Sequence, residues 1–255
     1  MRAGLFSPPC KSSEPARFLR RGLLFVFLGA SALEAQTMRD FQAPLPLGES
    51  DALIIGVAGA WEKWNEDGRL PRRVCAELRG RVPANAYCET IENHKLHMAK
   101  KLIAHALDSD RNGKLSPTER SNAKLILFGH SLGGSASVKL CRWLQKEHIP
   151  VQLYVQIDSV GVGDSKVPSN VKLAANLFQR DLGPFQGESR FEAEDPAKTT
   201  ILGNWRYRYP FWKYVDMEAE PRGRRLFPIP HLKMEADPEV SDHVESLIVS
   251  ALRSR

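Results

Sequence analysis

The residues with the clearest chemical meaning are Gly129-His130-Ser131-Leu132-Gly133-Gly134. A short apolar run with strand character, Lys124–Phe128, leads into them, and a stretch with helical spacing, Ser135–Lys146, leads out. A G-x-S-x-G in that strand-turn-helix setting holds the serine on a sharp, strained turn with its hydroxyl above the strand end. Gly129 and Gly133 leave the room such a turn needs. Helix onset behind Ser131 offers backbone N–H groups and a positive dipole end to a developing oxyanion. The chemistry this suits is attack of Ser131 on an acyl carbon. A serine hydroxyl is a poor nucleophile until a base takes its proton, so a histidine must reach it.

The hexapeptide resembles the nucleophile elbow of the lipase and esterase branch of the α/β hydrolases, and the order of elements over residues 50–252 is similar to theirs. The resemblance implies an α/β fold with a mostly parallel sheet flanked by helices, and a triad in the chain order serine, acid, histidine. Of the histidines beyond Ser131, His148 precedes any acid candidate. His243 falls inside a closing helix and reads as a surface or packing residue. His231 sits between the loop Phe227-Pro228-Ile229-Pro230 and that helix, and is the expected base. Asp158, at the end of the strand Val151–Ile157, is the first choice of acid. Its position is similar to that in pancreatic-type lipases, with Ser159-Val160 where those have Pro-Ala. Asp181, after the next apparent strand, is the alternative. The expected oxyanion donors are the N–H of Leu132 and one from Gly59-Ala60-Trp61, Ala60 foremost. That stretch lacks the HGGG or His-Gly form of many lipases. Trp61 and Trp64 read equally as pocket lining or core.

A second pattern is independent of the first. Residues 108–119, DSDRNGKLSPTE, match the EF-hand calcium loop over its full length. Asp108, Asp110 and Asn112 supply oxygens at positions 1, 3 and 5, and Gly113 takes the sharp turn at position 6. Lys114 would ligate through its carbonyl, Ser116 directly or through water, and Glu119 supplies the bidentate carboxylate. Only a short turn, Thr118–Asn122, separates the loop from the next strand. A calcium sensor needs a helix pair to open, so the expectation is a structural calcium site rather than a switch. A polar turn without metal is the alternative.

The elements that must position these groups alternate in type. Ala52–Val57, Asn85–Ile91, Lys124–Phe128, Val151–Ile157 and Lys172–Phe178 read as strands. Leu70–Arg79, His94–Leu107 (capped by Asn93), Ser135–Lys146 and Pro238–Leu252 read as helices. Such alternation implies a parallel sheet covered on both faces. Residues 182–230 read as irregular, and Trp205–Tyr214 within them as a lid, a substrate flank or a packing strip.

At the N-terminus, Arg17, Arg20 and Arg21 precede the apolar run Gly22–Leu33, and Ala30-Ser31-Ala32 offers a small-x-small cleavage site. Residues 1–32 therefore read as a signal peptide, or alternatively as an N-terminal membrane anchor, and 33–49 as a linker into a domain spanning 50–255. The expected location is secreted or periplasmic. The formal charge is +6. Arg2, Lys11, Arg17, Arg20 and Arg21 against Glu14 place +4 of that in the leader. The short basic runs Arg72–Arg73 and Arg222–Arg225 are mixed with acids and read as solvated faces, so no nucleic-acid partner is expected. Cys75 and Cys88 could pair in an oxidising compartment, and Cys141 reads as a buried apolar residue. The sequence thus implies a hydrolase of a small-molecule or lipid ester with possible membrane-surface contact, no organic cofactor and structural calcium. A non-catalytic calcium-binding or scaffold protein on a degenerate hydrolase fold is the alternative.

Overall fold

The computed structural model describes residues 36–218 and 229–254. The expected leader, the Arg222–Arg225 run and Phe227-Pro228 lie outside the described residues. Six parallel strands form one sheet in the order β2-β1-β3-β4-β6-β8. They are β1 (Ala52–Ala58), β2 (Ala86–Glu92), β3 (Leu125–His130), β4 (Val151–Ile157), β6 (Val171–Gln179) and β8 (Thr200–Tyr207), with a separate two-residue pair, β5 (Lys166–Val167) and β7 (Glu192–Ala193). The helices are α1 (Leu70–Leu78), α2 (Leu96–Leu107), α3 (Pro117–Ser121), α4 (Leu132–Lys146), α5 (Pro230–Ala236) and α6 (Pro238–Arg253).

Strands β1 and β3 are buried at every residue, which is why they read as unbroken apolar runs. Alternate side chains feed two cores. Leu53, Ile55, Leu125 and Leu127 pack with Leu102 and Ile103 of α2 and Val138 and Leu140 of α4. Ile54, Ile126 and Phe128 pack on the other face with Val74 and Leu78 of α1 and Val244 and Ile248 of α6. This is the doubly covered parallel sheet of the α/β-hydrolase fold, with Ser131 at the turn after a central strand.

Several expectations are corrected. Residues 36–49 are not a free linker: Phe41 and Ala43 are buried against the α2 core, and the Gln42 and Ala43 N–H groups donate to Glu89 Oε1 at 2.6 and 2.7 Å. Asn93 does not cap α2, because its side-chain amide donates to the Gly59 carbonyl; Lys95 holds the cap position without a side-chain bond. Helix α4 begins at Leu132, not Ser135. Within the stretch expected to be irregular, 200–207 forms the edge strand β8, so Trp205–Tyr207 belong to the sheet rather than to a lid. Cys75 and Cys88 form a disulfide joining α1 to β2. Cys141 is a free, buried thiol whose pKa desolvation drives far up.

Candidate active site

Ser131 occupies the junction between β3 and α4 with φ +58° and ψ −127°, a conformation that side chains with a Cβ rarely adopt. The close packing around it explains the glycines. A Cβ at Gly133 would lie 2.1 Å from the Val57 carbonyl oxygen, and one at Gly129 would lie 2.3 Å from the Gly133 carbonyl oxygen. Only glycine lets the start of α4 butt against the end of β1. The Ser131 N–H donates to the Ile157 carbonyl at 3.0 Å, extending the β3–β4 ladder into the turn.

Asp158 follows β4 in the same way. Its N–H donates to the Leu177 carbonyl at 2.7 Å, and its φ of +42° turns the side chain back over the sheet end. The carboxylate is fully buried. Gln179, at the end of β6, donates to Oδ1 from its backbone N–H and to Oδ2 from its side-chain amide, both at 3.0 Å. Gly187 covers it closely enough that a Cβ would lie 2.2 Å from Oδ1.

His231 completes the group. It precedes the last helix as expected, as the second residue of a separate short helix, α5. Its Nδ1 lies 2.6 Å from Asp158 Oδ2 and its Nε2 lies 2.9 Å from Ser131 Oγ. A neutral imidazole protonated on Nδ1 donates to the carboxylate there, leaving Nε2 to accept from the serine hydroxyl. His130 stacks on one side of the ring at 4.9 Å between centroids and 25° between planes, and Phe185 lies tilted at 5.6 Å. Ser131, Asp158 and His231 therefore meet. Asp181 does not join them: it accepts from the Tyr209 N–H and lies 3.6 Å from Arg206. His243 is a packing residue, edge-on to Trp205 and 2.8 Å from the Tyr207 hydroxyl. His148 lies in the turn after α4 with φ +56°.

Of the oxyanion candidates, Leu132 is the first residue of α4, where N–H groups have no intrahelical acceptor. The Gly59 N–H is already engaged by Glu62 Oε2 at 2.5 Å, so Ala60 is the first residue of that loop whose N–H is left for the site. Trp61 projects into solvent, 91% exposed with φ +56°, and Trp64 is half-buried; neither is a core residue.

Away from this site, the 108–119 loop closes on itself. Asp108 accepts from the Asn112 and Gly113 N–H groups at 3.0 and 2.9 Å, Asp110 from the Asn112 N–H at 3.1 Å, and Asn112 from the Lys114 N–H at 2.8 Å. Gly113 has φ +79°. Glu119 reaches back from α3 to Ser109 and Ser116, and oxygens of Asp108, Asp110 and Glu119 lie within 4.8 Å of one another. Three convergent carboxylates and a carbonyl-bearing turn make a hard-oxygen donor set suited to calcium. The Ser116 backbone N–H, then the Ser109 and Ser116 hydroxyls, hold the Glu119 carboxyl down to about 2.

No family model matches the chain, and no curated protein matches it in sequence. Solved structures with a similar chain trace include the RedJ thioesterase from the prodiginine biosynthetic pathway of Streptomyces coelicolor, at 10% identity and TM-score 0.42, covering 82% of this chain and 94% of that one. The type II thioesterase BorB from the borrelidin biosynthetic cluster is similar at 11% identity and TM-score 0.39, covering 82% and 95%. A dienelactone hydrolase from Anabaena variabilis is similar at 14% identity and TM-score 0.38, covering 81% and 87%.

Proposed function

We propose that this chain is a serine hydrolase that cleaves a carboxylic ester through an acyl-enzyme. The observation that carries the reading is the continuous hydrogen-bonded line from Ser131 Oγ through His231 to Asp158, at 2.9 and 2.6 Å. Ser131 Oγ bonds to the acyl carbon as its proton passes to His231 Nε2. The ester C–O bond then breaks, and the same proton goes to the leaving alcohol. Water, deprotonated by His231, hydrolyses the acyl-enzyme and frees the acid. Asp158 keeps the ring in the required tautomer, and the N–H groups of Leu132 and Ala60 receive the oxyanion.

The 108–119 loop is read as a structural calcium site held by Asp108, Asp110, Asn112, the Lys114 carbonyl and Glu119, which pins the connection from α2 into β3. Export is supported by the Cys75–Cys88 disulfide, which persists in oxidising compartments. An apolar acyl group or a lipid surface is supported by the exposed aromatics near the site. Among the described residues no helix is long and apolar enough to cross a membrane.

The direct test is covalent labelling by a fluorophosphonate probe. Wild-type chain should label and Ser131→Ala should not. A folded wild-type chain that neither labels nor hydrolyses p-nitrophenyl acetate would leave the scaffold reading in its place.

A further inference from the structure

Gln179 closes β6 and is fully buried. A buried primary amide is costly unless its polar atoms find partners, and an apolar side chain would fill the end of a buried strand without that cost. Here each polar atom is used. Nε2 donates to Asp158 Oδ2 at 3.0 Å and to the Phe185 carbonyl at 2.8 Å, and Oε1 accepts from the Asp181 N–H at 2.9 Å. Two acceptors at one end and a donor at the other fix the orientation of the amide, because the flipped amide would set its oxygen against two oxygens. The main chain is engaged as well. Its N–H donates to Asp158 Oδ1 at 3.0 Å, and its carbonyl accepts from the Gly187 N–H at 3.1 Å.

Among the described residues the Asp158 carboxylate accepts three hydrogen bonds, two from Gln179 and one from His231. The two from Gln179 differ in what they fix. The backbone bond grips Oδ1 and survives any side-chain substitution that keeps the N–H. Held at Oδ1 alone, the carboxylate could still turn about its Cβ–Cγ bond and carry Oδ2 away from His231 Nδ1. The terminal torsion of an aspartate is broad, so a second contact must fix it. The side-chain amide supplies that contact at the same oxygen that faces His231. We propose that Gln179 is a positioning residue whose side-chain amide locks the Asp158 carboxylate in the rotation that presents Oδ2 to His231. This rests on the reading of Ser131, His231 and Asp158 as a catalytic triad.

The same amide also clasps the loop that follows β6, through Phe185 and Asp181, and Phe185 lies against the His231 ring. A clasp alone would act on stability and on substrate binding, whether or not Asp158 is present. Positioning acts through Asp158, and its effect disappears when that carboxylate is removed. Gln179→Met keeps the reach of the side chain and deletes the amide. Gln179→Glu keeps its shape and replaces the donor by a carboxylate oxygen set against Asp158 Oδ2 and the Phe185 carbonyl.

The test compares wild type, Gln179→Met and Gln179→Glu as full-length proteins at one fixed pH. The first readout is the 1H NMR resonance of the His231 Nδ1–H, which a strong hydrogen bond to a carboxylate moves far downfield. It is assigned by its loss in His231→Ala. It should be present in wild type and move upfield or vanish in both Gln179 variants. The second readout is the rate of fluorophosphonate labelling together with kcat for p-nitrophenyl acetate. Both should fall on the order of 10- to 100-fold, the effect of losing one hydrogen bond to a charged group, with KM within about twofold of wild type. In an Asp158→Ala background Gln179→Met should add no further loss. The proposal is overturned if wild type lacks the resonance, or if the folded variants keep it unshifted. It is also overturned if Gln179→Met slows the Asp158→Ala protein as much as it slows wild type, or if neither variant folds by circular dichroism; either result assigns Gln179 to the loop alone. The resonance is read without turnover. A wild-type protein that shows it and does not label would therefore count against the hydrolase reading and leave this result standing.

Discussion

At the level of single residues, the site depends on backbone conformations that glycine permits and on side chains that sequence order could rank. Gly133 is the sharpest case. Its missing Cβ is what allows the first turn of α4 to rest on the Val57 carbonyl, and both partners are main chain, so neither can swing aside. Gly133→Ala should cost about 3 kcal/mol or more, above the usual range for overpacking, with loss of labelling at Ser131. Gly80, where a Cβ meets nothing within 4 Å, is the matched control and should change stability by less than about 1 kcal/mol when replaced by alanine. Denaturant melts of the two variants compare them directly; equal stabilities would refute the close-contact account. Ser131, His231 and Asp158 were legible because each stands at an element boundary that the apolar runs mark. Asp181 stands at a similar boundary, and nothing local separates the two. What separates them is the pair of bonds from Gln179 to Asp158, and Gln179 carries no signal in isolation.

Among elements, buried strands were easier to read than the edge. β1 and β3 are buried at every residue and carry nearly unbroken apolar runs, and β4 is buried at all but Gln152. β8 is one of the two edge strands; unlike β2 at the other edge, whose second half is buried, its residues alternate between exposed and half-buried, and Gly203 and Asn204 interrupt the apolar signal. A bulge opposite Ala174/Ala175 breaks its register as well. The proposed calcium site in the 108–119 loop rests on its ligand spacing, and its position between α2 and β3 makes a stability prediction. Calcium at about 100 times its Kd should add about 2.7 kcal/mol to the folded state. For a domain of this size that is a rise in Tm of roughly 5–10 °C. Chelation should remove it, and Glu119→Gln should make the melting temperature independent of calcium. Because its hydrogen bonds hold Glu119 ionised down to about 2, the calcium-induced rise should lose nothing through this group between pH 8 and pH 5. Identical melting curves with calcium and with EDTA would exclude the site.

Across the whole molecule, a parallel sheet gathers the C-terminal ends of all its strands at one edge, and whatever follows those ends surrounds Ser131. The large apolar side chains left exposed among the described residues are concentrated there. Trp61 follows β1, Leu132 follows β3, Leu182 and Phe185 follow β6, and Phe211 and Trp212 follow β8; Leu202 alone of the exposed set lies within a strand. Singly exposed apolar residues need no explanation, but several of them on the loops at one end of the sheet fit the proposed apolar acyl group. The loop after β8 is also held in place. Lys233, two residues beyond His231, donates to the Lys213 carbonyl at 2.7 Å, and Lys213 binds Asp237 at the start of α6 at 2.9 Å. Phe211 and Trp212, edge-on at 5.0 Å, are thereby tied to the helix that carries His231. If acyl chains lie along this rim, kcat/KM should rise from acetyl to octanoyl p-nitrophenyl esters. Each methylene covered contributes up to about 0.8 kcal/mol. Replacing both Phe211 and Trp212 by serine should leave the acetyl ester within about twofold of wild type and reduce the octanoyl ester by about tenfold, the loss expected for one or two buried methylenes. A proportional loss on both esters would instead assign the two aromatics to the stability of α5 and its neighbours, and the acyl group would have to be accommodated elsewhere on the sheet edge.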